Sequence, residues 1–205
     1  PTEIYTLSLH AALPISIEKA AKPTLAGAFR LYGDILALPG GLVGASDAPE
    51  SDDIKRRRFD IRELIMLQKM ATSLDAPDVL RLAMSLFGGH GVMEDFSALP
   101  RLYRDAAVNE LWEGPRNVLL AQIHRDLQNA SAWYAPDRFV ANILTGAPEE
   151  VVKALQQEIT AILSGPGLYE MSPEALDACA RWDQCCHRLY HAYQDVAAAM
   201  VEDRG

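Results

Sequence analysis

Residues 87–127 read FGGHGVMEDFSALPRLYRDAAVNELWEGPRNVLLAQIHRDL, and this stretch decides how the rest of the chain is interpreted. It opens on three glycines within residues 88–91, passes an acidic turn and enters a short helix at Pro100. The triplet Trp112-Glu113-Gly114 then precedes another helix. Glycines let the backbone approach a ligand closely. A carboxylate beside a large apolar ring is a candidate for a general base with a shifted pKa.

The composition excludes several other kinds of protein. The chain has 205 residues, 49% of them hydrophobic, which is enough for a substantial core. A formal net charge of −9 argues against nucleic acid as a partner, because phosphate binding needs clustered Lys and Arg. No apolar run is long enough to span a membrane. The three cysteines are odd in number and close together (Cys179, Cys185, Cys186), so they predict a reducing, cytoplasmic compartment and no disulfide framework.

Apolar residues recur at helical spacing through most of the chain, and β-branched alternation is scarce, so the sequence predicts an all-α fold. A helix is expected over residues 23–38, ended by Pro39-Gly40-Gly41, and the next is capped by Ser51. A separate helix is expected to start at residues 75–78 (Asp-Ala-Pro-Asp). With further starts at Pro100 and after Glu113, residues 17–129 are predicted to form an antiparallel bundle of four or five helices.

The remaining part, residues 130–205, is predicted to be a helical extension of that bundle. Its three expected helices cover residues 136–144, 148–163 and 172–201. It carries five Lys or Arg and eleven Asp or Glu, a net charge of −6. Its apolar stripes are therefore expected to pack against the bundle or a partner subunit, not against nucleic acid.

Residues 1–16 (PTEIYTLSLHAALPIS) do not fit the pattern that follows. No Lys or Arg precedes their apolar run, so they are not read as a secretory signal. The part over residues 6–15 resembles the translation of a sequencing adaptor joined to a reading frame. We therefore expect residues 1–16 to lie outside the fold, and the natural chain to be the C-terminal part of a longer enzyme.

The order of motifs in residues 87–127 resembles the C-terminal helical domain of the acyl-CoA dehydrogenase superfamily. There a GGxGY-like turn is followed by PRxYRDA and by an aromatic-Glu-Gly triplet, and the Trp-Glu-Gly form is most similar to the larger branch that includes alkylation-response flavoproteins. The resemblance implies FAD-dependent α,β-dehydrogenation of an acyl-CoA thioester, as in fatty acid β-oxidation. It also implies a protein electron acceptor and a homo-oligomer, dimer or tetramer.

The resemblance assigns catalysis to Glu113. An acyl thioester loses its α-proton only to a positioned carboxylate, while the hydride that leaves the β-carbon needs a cofactor as acceptor. The backbone N–H of Glu113 would help bind the thioester oxygen. Trp112 and Gly114 are assigned to substrate binding, and the Trp112 ring is expected to dry the carboxylate and raise its pKa. The alternative is that Glu113 caps the following helix and Trp112 belongs to the core.

Four residues are assigned to FAD by the resemblance: Gly88, Gly89, His90 and Asn117. In relatives the glycine turn lies against the adenine side of the flavin of a neighbouring subunit; the alternative is an ordinary helix C-cap. Two departures count against the assignment. Ser85 stands where relatives often have Gln, and Pro115 replaces a Thr or Ser that reaches the flavin.

Two charged motifs are interpreted as structural. Arg104 and Asp105 are expected to form a buried ion pair. The basic run at residues 55–58 is expected to be a solvated face that pairs with nearby acids, namely Asp52, Asp53 and Glu63. The alternative is a site for CoA or nucleotide phosphate.

His187 and His191 are four positions apart in the sequence, so they would share one face of a helix, and Cys186 is next to His187. Two such histidines can contribute to a metal site. Because the sequence shows no acid between them in a zinc-protease pattern and no remote set of ligands, no metal site is predicted. Tyr190 and Tyr193 on the same helix are expected to be packing residues.

Two other functions remain open from the sequence. One is a flavoprotein of the same fold with a stress-response or DNA-protecting role, which the acidity of residues 130–205 disfavours. The other is a non-enzymatic helical interaction module, which would lose no activity on replacement of Glu113.

If residues 1–16 lie outside the fold, their deletion leaves the free energy of unfolding unchanged. Thermal unfolding of the full and shortened chains measures this directly. A loss above about 2 kcal/mol, the scale of real core damage, would contradict the assignment.

Overall fold

A computed structural model describes residues 2–42, 50–165, 167–168 and 170–203. These ranges contain no strand, and the predicted all-α fold is confirmed. Their helices are α1 Thr2–Leu36, α2 Asp52–Leu86, α3 Leu99–Val108, α4 Arg116–Ala130, α5 Pro136–Ile143, α6 Glu149–Leu163 and α7 Pro173–Glu202, with a 3₁₀ turn at Gly88–Val92 between α2 and α3. None of the helices described is both long and apolar enough to cross a bilayer.

The helix ends follow local chemistry. The hydroxyl of Ser51 accepts a hydrogen bond from the backbone N–H of Ile54 at 3.4 Å and caps α2 as predicted. After α1 the chain turns through Gly40 and Gly41, whose φ angles of 72° and 62° are left-handed and favour glycine. The three helices predicted beyond residue 130 are present, with bounds that agree to within one or two residues.

Two predicted helix starts are wrong, because Pro23 and Pro77 lie inside helices. α1 begins at Thr2 and continues through Pro23, and α2 is a single helix through Pro77. A proline removes one i to i−4 hydrogen bond and adds a local clash. Both helices pack against α7, and this tertiary packing supports each helix across its proline. Helix α1 therefore also includes most of residues 1–16, which the sequence analysis placed outside the fold. That these residues are dispensable stays a prediction.

The core is centred on α7, which belongs to the predicted extension. Trp182, Tyr190 and Tyr193 of α7 are fully buried, and the prediction that the two tyrosines are packing residues is confirmed. They form one continuous apolar cluster with residues of the preceding helices: Leu67 and Met70 of α2, Ile123 and Leu127 of α4, Phe139 of α5 and Ile159 of α6. Burying a large apolar side chain contributes about 1.5–3 kcal/mol. Residues 130–205 and the preceding bundle thus share one hydrophobic core, as expected if the apolar stripes of the extension pack against the bundle.

The predicted buried pair of Arg104 and Asp105 is wrong. Both residues are exposed on α3, and Arg104 pairs with Glu94 instead. Adjacent residues on a helix point about 100° apart, so their side chains do not face each other.

The basic run at residues 55–58 contacts different partners from those predicted. Arg58 pairs with Glu50 and donates hydrogen bonds to the carbonyls of Gly41 and Pro39 at 3.1 and 3.0 Å, which ties the end of α1 to the start of α2. The ammonium of Lys55 lies 4.2 Å from the centroid of the Trp133 ring. These contacts make the run an anchor for the α1–α2 connection.

Glu63 of α2 is fully buried, and neither of its carboxylate oxygens has a hydrogen-bond partner among the described residues. It was expected to pair with the basic run, but it faces the core. Burial, reinforced by the negative charge of Asp126, raises the pKa of Glu63 to about 8. Burial also raises the pKa of nearby Asp60 to about 7, although Tyr134 donates a hydrogen bond to it at 2.8 Å. Glu63 is therefore neutral in the folded protein at pH 6.

Because the folded pKa of Glu63 lies above its unfolded value, its contribution to stability is complete at low pH and is lost as pH rises from about 4.5 to about 8. Each pKa unit corresponds to about 1.4 kcal/mol. We expect Glu63→Gln to be more stable than the parent at pH 8 by about 2 kcal/mol or more, and the gap to close near pH 5. Urea unfolding at several pH values measures the difference.

The exposed Glu174→Gln variant is the control, because its carboxylate is not buried. A difference between the Glu63→Gln variant and its parent that stays constant from pH 5 to pH 8 would contradict the buried neutral acid.

Candidate functional site

The glycine turn, residues 88–91, follows the C-terminus of α2. Gly88 has a φ of 57°, which lets the chain leave the helix in a left-handed conformation. Gly91 is buried against the last turn of α2, where an added Cβ would lie 1.9 Å from the carbonyl oxygen of Met84. Gly91 is therefore required for packing, a reason for the third glycine that the sequence did not reveal.

The other side of the glycine turn is open. Gly88, Gly89 and His90 are exposed, and an added Cβ at Gly88 or Gly89 would meet nothing within 4 Å. The His90 ring lies 5.1 Å from that of Phe96, which is also exposed. The turn thus presents bare backbone and one imidazole on the surface of the chain.

The triplet Trp112-Glu113-Gly114 lies in the connection between α3 and α4. Glu113 has a φ of 51°, the one left-handed non-glycine residue in the described part of the chain, and Gly114 follows with a φ of 97°. A left-handed conformation costs a non-glycine residue about 1–2 kcal/mol. Such strain is frequent at functional sites. The left-handed backbone thus makes Glu113 a candidate functional residue.

Trp112 does not dry the Glu113 carboxylate within this chain. Its ring is 54% exposed and its N–H donates to the Asn109 side chain at 3.1 Å, while the Glu113 side chain is exposed as well. The ring is also not a core residue, so this alternative is wrong. A dry environment at Glu113 requires a further surface that covers the triplet.

The start of α4 is fixed by contacts from two other helices. Arg116 donates hydrogen bonds to the Asp183 carboxylate of α7 at 2.8 Å and to the Met70 carbonyl of α2 at 3.2 Å. The Trp182 indole N–H donates to the Leu120 carbonyl at 2.9 Å. The position of the triplet is therefore set by α2 and by the extension.

Asn117 is exposed in the first turn of α4, close in sequence to the triplet. No hydrogen bond or ring contact joins the glycine turn to the triplet in the part of the chain that the structure describes. The assigned residues thus form two exposed patches, each at the end of a well-packed helix. Their roles toward substrate and cofactor stay predictions.

A third cluster was missed from the sequence. His187 and His191 share one face of α7, and Asp75 of α2 lies against both. One Asp75 oxygen is 3.1 Å from His187 Nε2 and the other is 3.2 Å from His191 Nε2, while the two Nε2 atoms are 3.1 Å apart. The two-histidine spacing was visible in the sequence, but Asp75 was read as the start of a separate helix. Because Asp75 lies within one long α2, it reaches His187, 112 residues later in the chain, and also His191.

Contacts within the cluster shift the pKa values of Asp75 and His191 toward their charged forms. Burial pushes the pKa of Asp75 upward, but the adjacent imidazoles of His191 and His187 outweigh burial and hold that pKa below its usual value. The Asp75 carboxylate, with one oxygen 3.2 Å from His191 Nε2, raises the pKa of His191. Asp75 and His191 also line a groove of about 710 Å³ between α1, α2 and α7, with Thr24, Thr72 and Asp195 among its other residues.

Comparisons with known proteins match the central part of the chain. The family model described as "Acyl-CoA dehydrogenase, C-terminal domain" matches residues 48–128. That range includes α2, α3 and most of α4, together with both exposed patches. No solved structure gives a significant match.

Two curated relatives match shorter parts. "Acyl-CoA dehydrogenase family member 11" of Caenorhabditis elegans is 36% identical over 84 residues, which is 41% of this chain and 13% of that protein. "Acryloyl-CoA reductase (NADH)" of Anaerotignum propionicum is 37% identical over 59 residues, 29% of this chain and 15% of that protein. The matched part therefore spans less than a sixth of each relative.

The glycine turn gives a matched pair of substitutions. Gly91→Ala drives a methyl group into the Met84 carbonyl, so we expect a loss of more than about 2 kcal/mol in the free energy of unfolding. Gly89→Ala enters open space and should change it by less than about 0.5 kcal/mol. Thermal or urea unfolding of both variants decides the matter, and equal stabilities would contradict the assigned packing role of Gly91.

Proposed function

We propose that this chain is part of an FAD-dependent enzyme that oxidises an acyl-CoA thioester to its 2-enoyl form, because residues 48–128 match the family model of the acyl-CoA dehydrogenase C-terminal domain. The observation that carries the proposal is Glu113. It is held in a left-handed conformation between Trp112 and Gly114, and Arg116 fixes the start of the next helix.

The chemistry needs one base and one hydride acceptor. Glu113 takes the α-proton through its carboxylate, and the electron pair left on the α-carbon moves into the new α,β double bond as the β-hydrogen leaves with its own pair. The backbone N–H of Glu113 donates to the thioester oxygen and stabilises the enolate-like charge that develops there. When bound, FAD supplies the hydride acceptor that no side chain can provide.

The exposed patches fit these roles. The bare backbone at Gly88 and Gly89 leaves room for the adenine side of a dinucleotide, with His90 beside it, and the amide of Asn117 is free to contact the cofactor. Pro115 has no hydroxyl, so any flavin contact at that position comes from another group. Trp112 and Gly114 would line the thioester region.

Exposed apolar residues support completion of the site by further protein. On α1 they form a stripe: Leu25, Phe29, Tyr32 and Leu36, each more than half exposed. Around the triplet, Leu111 is 75% and Val118 55% exposed. Apolar patches of this kind mark interaction surfaces. We therefore propose a homo-oligomer in which upstream domains or a second copy cover Trp112 and dry Glu113, with a protein electron acceptor docking elsewhere.

The test replaces Glu113 by Gln in a complete enzyme that carries this domain. The shape is kept and the base is lost, so FAD and acyl-CoA still bind while flavin reduction slows by a factor of about 10² to 10⁴ or more. Anaerobic stopped-flow absorbance with excess acyl-CoA measures flavin reduction. Deuterium uptake at the α-carbon reports the base itself and should fall in parallel.

Glu110→Gln, three residues earlier, is the matched control and should reduce flavin at the parent rate. A helix-capping role predicts a stability cost of about 1 kcal/mol and normal flavin reduction in Glu113→Gln. Normal flavin reduction in Glu113→Gln would thus refute the catalytic assignment. It is the result expected if the protein is a non-enzymatic interaction module or a flavoprotein with a different activity.

A further inference from the structure

We propose that Asp75, His187 and His191 form a binding site for one divalent transition-metal ion of the zinc class. The site is separate from the proposed catalytic residue Glu113. Imidazole nitrogens and carboxylate oxygens are among the ligands that zinc prefers in proteins. Each of the three residues offers one such atom, and these three atoms lie within 4.8 Å of one another.

The distances suit a metal. Ligand atoms bound at about 2.0–2.1 Å to a tetrahedral zinc ion lie about 3.3 Å apart. The two Nε2 atoms are 3.1 Å apart, and each is 3.1 or 3.2 Å from an Asp75 oxygen. The two nitrogens and one Asp75 oxygen, which all lie within 4.8 Å of one another, can therefore take three of the four corners of a tetrahedron.

Hydrogen bonding alone leaves this cluster incomplete. The two Nε2 atoms point toward each other, so at most one hydrogen can lie between them, and a second N–H there would be repelled. The buried Asp75 Oδ2 has no hydrogen-bond partner among the described residues, although His191 Nε2 is near. A cation at the centre of the cluster satisfies all three lone pairs at once.

The supporting structure is rigid. Both histidines lie on α7 within its buried segment, between Cys186 and Tyr190 on one side and Tyr193 on the other, and Asp75 lies in the middle of α2. Helix-borne ligands hold their geometry better than loop-borne ones.

The fourth position is open. Asp75 and His191 line the groove of about 710 Å³ between α1, α2 and α7, so water or an oxygen atom of a molecule in the groove would complete the coordination. Three protein ligands with one open position are typical of zinc sites that activate or bind an exogenous oxygen.

Titration of the metal-free 205-residue chain with Co²⁺, followed by visible absorbance, tests the proposal. We expect one equivalent to bind with a tetrahedral spectrum, Zn²⁺ to displace it, and Zn²⁺ to raise the Tm. Asp75→Asn, His187→Gln and His191→Gln should each weaken binding at least about tenfold. His90→Gln and Asp78→Asn are controls that keep parental affinity.

A second measurement needs no variant. Carbethoxylation mapped by mass spectrometry should show His187 and His191 protected by Zn²⁺ and His90 unprotected. Absence of stoichiometric Co²⁺ binding, an intense thiolate charge-transfer band from Cys185 or Cys186, or equal modification with and without Zn²⁺ would each overturn the proposal. Failure here leaves the assignment of Glu113 untouched, because the two sites share no residue.

Discussion

The structure depends on the burial of Trp182. Its ring is almost fully enclosed, it packs edge-on against His124 at 5.3 Å, and its N–H donates to the Leu120 carbonyl of α4. An indole that is both buried and hydrogen-bonded fixes the height and rotation of α7 against α4. One turn away, Arg116 joins α4 to Asp183 and to Met70. The α3–α4 connection that carries Glu113 is thus positioned by α2, which precedes it in the sequence, and by α7, which follows it.

This arrangement changes how the C-terminal third is understood. From the sequence it is an appendage to a family domain that ends near residue 129, and the family match also ends at residue 128. In the structure its aromatic residues supply the largest side chains of the shared core. A shortened chain without α7 would lose Trp182, Tyr190 and Tyr193 from the core that also contains Leu67, Met70 and Ile123. The extension is therefore part of what holds the α3–α4 connection in place.

Periodicity and caps predicted most of the fold. Ser51, the glycines after α1 and the starts of α5, α6 and α7 were all visible as local signals. The errors arose where tertiary packing overrides a local signal, as at Pro23 and Pro77. Pairings between distant residues were not predictable, because periodicity says which face a residue takes but not what faces it. The contact of Asp75 with the two histidines and the unpaired burial of Glu63 are two features that periodicity could not predict. Glu113 and the glycine turn were identified from the sequence because they lie in one contiguous motif.

The unbroken length of α2 has a consequence for how this protein can vary. At 1.5 Å per residue its 35 residues make a rod of about 52 Å. Arg58, Lys69, Met70 and Asp75 each meet a different partner along it. One inserted or deleted residue would turn every later side chain by about 100° and shift it by 1.5 Å. All the partners beyond that point would then be missed together, so α2 accepts changes of residue type far more readily than changes of length.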